Sequence, residues 1–305
     1  MLANFFEKTK PLNSIVLGGL FCLIYFIIVL SSENLGVTVF FILKLFGFLL
    51  LHFLFLLLSG QNFIKFGVTK NNLYAPFIMI LSYGMFPNAL QMDLSAFVIL
   101  LIVLFYGRIT SFINKDNLVG KIFDSSLVLG LAIPFFNLAI FYALVLFVAV
   151  IIFSNHAIRK FIISFVGFVV PSLFFFAYCF VTDTMSFFYE QYQFILIPSY
   201  ELFEGSQVSL VVLGSLLLVS LFTNFVRIIA ISNHYRLHYI ITLTMLVVGV
   251  LILCLNPVKS DSLFLFLFIP ISLMVSQFVE SISKIWLKEA CLGGLLLFSF
   301  LNLFL

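Results

Sequence analysis

Apolar runs follow one another along this chain with so little between them that water cannot be its main solvent. They fall at about 14–31, 35–59, 73–90, 94–113, 122–136, 138–155, 161–181, 207–226, 238–255, 262–278 and 289–305. Most have the roughly 17–25 residues that an α-helix, rising about 1.5 Å per residue, needs to cross about 30 Å of hydrocarbon. Charged residues make up 9% of the chain and hydrophobic ones 64%, whereas soluble domains carry about 25% charge. The expectation is an all-α, polytopic α-helical membrane protein with about 11 transmembrane helices (10–11), built as a single integral membrane domain over residues 1–305.

The placement of charge orders these runs. With a cytoplasmic N-terminus, the inner segments carry Lys8, Lys10, Lys65, Lys70, Arg108, Lys115, Lys121, Arg159, Lys160, Arg227, Arg236, Lys284 and Lys288, which is all but two of the 15 basic residues. Only Lys259 lies outside and only Lys44 within the membrane, a positive-inside pattern. The signs stay consistent if residues 122–155 form a tight hairpin turning near Pro134 and Asn137. The first run is long and lacks a small-residue cleavage site, so an uncleaved first span is expected. Charge does not decide whether the last run crosses fully. Cys22, Cys179, Cys254 and Cys291 stand singly in apolar runs with no CxxC spacing, as small buried thiols do.

Lys44 and His52 interrupt the second run, "ILKLFGFLLLHFLFLLLSG". A central lysine costs about 2.5–3.5 kcal/mol, while the Leu, Ile, Val and Phe residues of 35–59 return roughly 6–11 kcal/mol. The helix still inserts, and the lysine selects a face. At about 100° per residue Gly36, Gly47, His52 and Ser59 fall within about 80° of Lys44, a stripe expected to pack on helices or line a polar cavity. As a structural element, Lys44 would snorkel or pair with Asp93, Asp183 or Glu190. As a functional one, Lys44 and His52 are the intramembrane polar candidates.

Residues 182–207 form the longest stretch between spans. They carry Asp183, Glu190, Glu201 and Glu204, no basic residue, and the aromatics Phe187, Phe188, Tyr189, Tyr192, Phe194 and Tyr200. A periplasmic interfacial loop with an amphipathic helix ending near Pro198 accounts for both properties. The four carboxylates are the acidic candidates for holding a sugar or acting as acid and base. Arg108, Lys115 and Lys121, with Asp124, are inner-face candidates for gripping a phosphate, although topology alone calls for positive charge there. His234 and His238 sit four apart in "HYRLH" without an intervening Glu or a third ligand, so no metal is expected. Pro171 and Pro270 interrupt the seventh and tenth runs, as in transporter helices and ordinary membrane helices alike. No phosphate loop, nucleophile elbow or dinucleotide fingerprint occurs, so no cofactor is called for, and nothing supports nucleic-acid binding.

Four stretches are distinctive together: "FFEKTKPLNSIVL", "GVTKNNLYAPF", "KIFDSSLVLGLA" and "FIPISLMVSQFVESISKIWLKE". They resemble an uncharacterised multi-pass inner-membrane protein family of Bacteroidota, a domain of unknown function, over nearly the whole chain. The resemblance implies the plasma membrane of a Gram-negative cell, with 182–207 in the periplasm, and it brings no activity or site residues. Polyprenyl-linked membrane glycosyltransferases place an acidic residue in a sizeable first outer loop, where this chain has only "SSEN" with Glu33. O-antigen polymerases and ligases use arginine or histidine in a late outer loop, and residues 182–207 have neither.

Three functions remain open. The first is a non-enzymatic cell-envelope component working with other inner-membrane proteins in the lipid bilayer. The second is an envelope-glycan enzyme or handler of a lipid-linked substrate, and the third is a secondary transporter. The first is preferred, because no catalytic constellation is visible and the intramembrane ions lie on one helix.

Overall fold

The computed structural model describes residues 2–31, 39–65, 69–90, 95–114, 116–153, 157–193, 207–228, 233–256 and 260–304; within these, the side chains of 30–31, 39–44, 61–65, 157, 226–228, 233–235 and 304 are outside the description. The described residues form thirteen α-helices and no strand: α1 Leu2–Phe6, α2 Pro11–Ser31, α3 Val39–Lys65, α4 Tyr74–Met85, α5 Ser95–Thr110, α6 Leu118–Ala132, α7 Ala143–Phe153, α8 Ala157–Val181, α9 Met185–Gln191, α10 Gln207–Ile228, α11 Asn233–Leu255, α12 Leu265–Ser281 and α13 Ile285–Phe304. Short 3-10 turns at Pro87–Leu90, Ser111–Ile113, Asn137–Tyr142 and Asp261–Phe264 extend or introduce helices.

Each of the eleven apolar runs holds a helix, but not each is a full span. Among the described residues seven segments are long and apolar enough to cross a membrane: Pro11–Val29, Ser95–Ile113, Ile158–Val181, Gln207–Phe225, Arg236–Leu255, Asp261–Ser281 and Ile285–Leu303. Tyr74–Met85 and Asn137–Phe153 are apolar but shorter, and α6 has 15 residues, whereas α3 with its 27 residues has the length of a span. The last helix, left undecided by charge, has 20 residues, which at about 1.5 Å each reaches the hydrocarbon thickness. Proline shortens two of the others. Pro87 lacks an N–H and pushes the preceding residue out of helical geometry, so α4 ends at Met85 and Phe86 takes φ −127° and ψ 75°. Pro134 lies in the turn after α6, where the hairpin is expected.

The chain divides into two compact units, one of Met1–Ala96, Leu202–Arg236 and Ser260–Leu305, the other of Phe97–Glu201 and Leu237–Lys259. In the first, α4 is the central helix: all twelve residues are buried, and α2, α3, α12 and α13 pack around it. Phe86, just past its end, lies against Phe264 and Phe268, with ring centroids 4.3 and 6.1 Å apart. The neighbouring turns are joined by Asn88 Nδ2 donating to Asp261 Oδ2 at 2.9 Å. On the far side of α12, Asn224 Nδ2 of α10 donates to the Met274 carbonyl at 3.2 Å.

In the second unit α6 and α8 make the most extensive helix pair. Glycine explains the close approach. A Cβ on Gly130 would lie 2.6 Å from the Phe168 carbonyl oxygen and 3.1 Å from Pro171 Cγ, and one on Gly167 would lie 2.9 Å from the Phe123 carbonyl oxygen. Ser126 and Gly130 on α6 thus face Gly167 and Pro171 on α8, each pair four residues apart. This is the small-residue packing by which membrane helices gain van der Waals contact where lipid is as apolar as leucine.

Candidate functional site

His52 is on the buried side of α3, with 1% of its surface exposed. Its Nδ1 lies 2.8 Å from the Phe48 carbonyl, one turn back. A carbonyl only accepts, so Nδ1 carries the proton and Nε2 presents a lone pair. The ring meets Tyr83 of α4 edge-to-face, centroids 5.6 Å apart at 73°. Phe21, Phe55 and Phe268 surround the same tyrosine with centroids 5.7, 6.5 and 5.1 Å away. Neither His52 Nε2 nor the Tyr83 hydroxyl has a hydrogen-bond partner among the described residues. Each group left so costs about 1–3 kcal/mol. This aromatic nest holds a neutral imidazole in an apolar core.

The polar stripe of α3 divides. His52 and Ser59 are buried, and Ser59 Oγ donates to the Leu56 carbonyl at 2.9 Å. Gly47 is exposed, with nothing near the position of a Cβ. An arc of about 80° to either side of Lys44 spans nearly half the helix, too broad for one packed face. The side chain of Lys44 lies outside the described residues, as do Gly36 and Asp93.

Of the acidic candidates, Asp183 and Glu190 are both exposed, and Glu201, Glu204 and Pro198 lie outside the described residues. Asp183 adopts a left-handed φ of 54° in the turn after α8. There the Thr182 N–H donates to the Tyr178 carbonyl at 3.0 Å and the Thr184 N–H to that of Cys179 at 2.9 Å, closing the helix end. The short α9 folds back on α8: Phe188 lies 5.6 Å from Phe175 and 5.4 Å from Phe176, and Tyr192 lies 4.7 Å from Phe188. Asp183 and Glu190 thus stand exposed beside this aromatic cluster.

Among the basic candidates, Lys121 Nζ donates to the Ser111 carbonyl at 3.0 Å and to that of Asn114, closing the end of α5 and its 3-10 extension. Arg108 faces Asp124 at 3.8 Å, both about half exposed, a pairing worth roughly 0–1 kcal/mol. Lys115 lies outside the described residues. The structure therefore gathers Arg108, Lys121 and Asp124 at one turn, with Lys121 engaged by backbone. His238 is buried, the side chain of His234 is outside the description, and among the described residues no three His, Cys, Asp or Glu form a metal-sized group.

Sequence reasoning missed the most connected polar region, which gathers around α1. The Glu289 carboxylate of α13 accepts from the Leu2 and Ala3 N–H groups at 2.9 and 3.1 Å, capping the start of α1. Tyr74 Oη donates to the Ala3 carbonyl at 2.9 Å, and the Leu73 N–H donates to that of Phe6 at 2.9 Å. Phe6 stacks on Phe77 at 4.4 Å. Asn13 Nδ2 donates to the Phe5 and Lys8 carbonyls. Glu280 of α12 accepts from the Lys70 N–H at 3.1 Å and from Asn72 Nδ2 at 2.6 Å, while Asn72 Oδ1 accepts from the Tyr74 N–H at 3.2 Å. Three of the four distinctive stretches meet in this clasp, and the fourth supplies α6 with its Ser126 and Gly130. Their distinctiveness was the available signal.

These features define an all-helical protein with apolar helices suited to a bilayer, in which Glu280, Glu289, Asn13 and Lys121 hold backbone groups at helix ends and junctions. The chain belongs to a family of unknown function, DUF6427, whose model matches residues 1–304. Comparison with curated proteins and with solved structures gives no match.

Two substitutions separate scaffold from site. Tyr83→Phe, which removes only the buried hydroxyl, should leave the thermal unfolding midpoint in detergent unchanged or higher; a clear fall would mean that the hydroxyl has a bound partner. Glu289→Ala should lose about 1.5–3 kcal/mol, the worth of hydrogen bonds to a charged acceptor. Faster proteolysis of the N-terminal segment should accompany it.

Proposed function

We propose that this chain is a multi-pass protein of the bacterial inner membrane that acts as a non-enzymatic component of the cell envelope, assembled with other membrane proteins. In this reading all eleven apolar helices belong to the membrane domain, with the seven long segments and the 27-residue α3 as full spans and α4, α6 and α7 packed among them. The N-terminus is cytoplasmic, as the bias of basic residues favours, and α9 lies on the periplasmic interface.

The observation that carries the reading is the use made of the polar side chains. Glu289 caps α1, Glu280 holds the segment entering α4, Asn13 ties α1 to α2 and Lys121 closes α5. These groups build a scaffold. Its outward faces remain long and apolar: Val211, Leu218, Phe222 and Phe225 of α10 are all at least 64% exposed, on the helix whose Asn224 is tied to α12. Such a face meets lipid or the helix of a neighbouring protein.

Native mass spectrometry on the tagged protein, gently extracted from its own membranes, tests this. A stoichiometric protein partner is expected, lost when Leu218 and Phe222 are replaced by tryptophan while the chain stays folded. Recovery of the chain alone overturns the reading. A bound polyprenyl-linked lipid in place of a partner would transfer it to an envelope-glycan handler using Asp183 and Glu190.

A further inference from the structure

A cleft of about 320 Å³ opens within the first unit between α2, α3 and α4, inside the roughly 300–1,000 Å³ that small-molecule sites occupy. Its walls are apolar: Leu17 from α2, Phe53, Leu56 and Leu57 from α3, Pro76 and Ile80 from α4. Two glycines keep it open. A Cβ on Gly18 would stand 3.3 Å from the Phe53 ring and one on Gly60 3.1 Å from Pro76 Cγ, so larger residues would crowd the walls. At one end the lining turns polar, with Thr9 and Ser14.

Charge is concentrated at that polar end. Lys8 and Lys10 flank Thr9 in sequence, and Thr9 Oγ1 donates at 2.7 Å to Asn71, the neighbour of Lys70. All three lysines are exposed. Of the nearby carboxylates, Glu280 is engaged by the Lys70 N–H and Asn72 Nδ2, and Glu7 precedes Lys8 on the exposed side. An apolar slot ending in hydroxyls, with three exposed lysines adjoining Thr9 and its partner Asn71 in the chain, matches an amphiphile with one hydrocarbon chain to bury and a negative headgroup to place.

We propose that this cleft binds one anionic phospholipid, with an acyl chain between α2 and α3 over Gly18 and Gly60, and the phosphate at Thr9 and Ser14 among Lys8, Lys10 and Lys70. The lipid fills a crevice beside the α1 clasp and links that clasp to the charge of the surrounding leaflet. The inference does not depend on the partner proposed above.

The test is lipid titration of the purified full chain by native mass spectrometry, with dioleoylphosphatidylglycerol, dioleoylphosphatidylethanolamine and free glycerol phosphate as separate probes. One phosphatidylglycerol should be retained well above phosphatidylethanolamine, and glycerol phosphate should neither bind nor compete. The Lys10→Gln, Lys70→Gln double variant should weaken phosphatidylglycerol about ten- to thirtyfold, given the usual worth of a lysine beside an anionic surface. Leu57→Trp, which fills the slot, should remove retention of either lipid. Both substitutions are at exposed positions, and the lysine variant remains informative if the tryptophan variant fails to fold. Equal retention of the two lipids, indifference to the lysine substitutions, or binding of glycerol phosphate alone would each overturn the proposal.

Discussion

A helix that stops short of the membrane surface has carbonyls that neither water nor lipid can satisfy, and the first unit is arranged around such a helix. With twelve residues, α4 is about 18 Å long, well under the hydrocarbon thickness of about 30 Å. Its ends must therefore be met by protein. At the finish, the Met85 carbonyl accepts from Asn302 Nδ2 of α13 at 2.9 Å, and the Ser82 carbonyl takes the Phe86 N–H at 3.0 Å. At the start, Asn72 Oδ1 takes the Tyr74 N–H and the Phe6 carbonyl of α1 takes the N–H of Leu73, the residue before the helix. The burial of all twelve residues follows from the same need, because a short helix exposed to lipid would leave these ends unprotected.

The polar residues can be understood from this arrangement. Glu280 and Glu289 hold the pieces that bracket the start of α4, and Asn88 with Asp261 holds the turn beyond its end. His52 sits against Tyr83 in the last turn of α4, where aromatic packing has replaced hydrogen bonding. Polar side chains are costly in a membrane; Glu280, Glu289, Asn72 and Asn302 of this unit stand where they offset a larger backbone cost, and serines inside its helices bond carbonyls three or four residues back. The same packing leaves a crevice beside α4 that Thr9 and Ser14 help to line.

Much of this was legible in the sequence, because apolar run length and charge asymmetry are one-dimensional signals. Each run produced a helix, and Pro134 marked its turn. Pro87 also carried the information that run 73–90 would break, but an unbroken apolar count concealed it. The grouping of polar residues was less legible. A broad arc placed Gly47 with His52, whereas the structure buries one and exposes the other. Glu280 and Glu289 prompted no reading, since nothing in their own neighbourhood points to residues more than two hundred positions away. The roles of Gly130 and Gly167 were equally invisible: each is unremarked on its own helix, and only the approach of Phe168 and Pro171 to the one and of Phe123 to the other gives it a role.

Thermal unfolding of Asn302→Leu in detergent tests the dependence on α4 most directly. The substitution keeps size and apolar surface but removes the donor to the Met85 carbonyl. Leaving that carbonyl unpaired should cost about 1–3 kcal/mol, seen as a midpoint several degrees lower. An unchanged or higher midpoint would contradict it, since the end of α4 would then need no partner from α13.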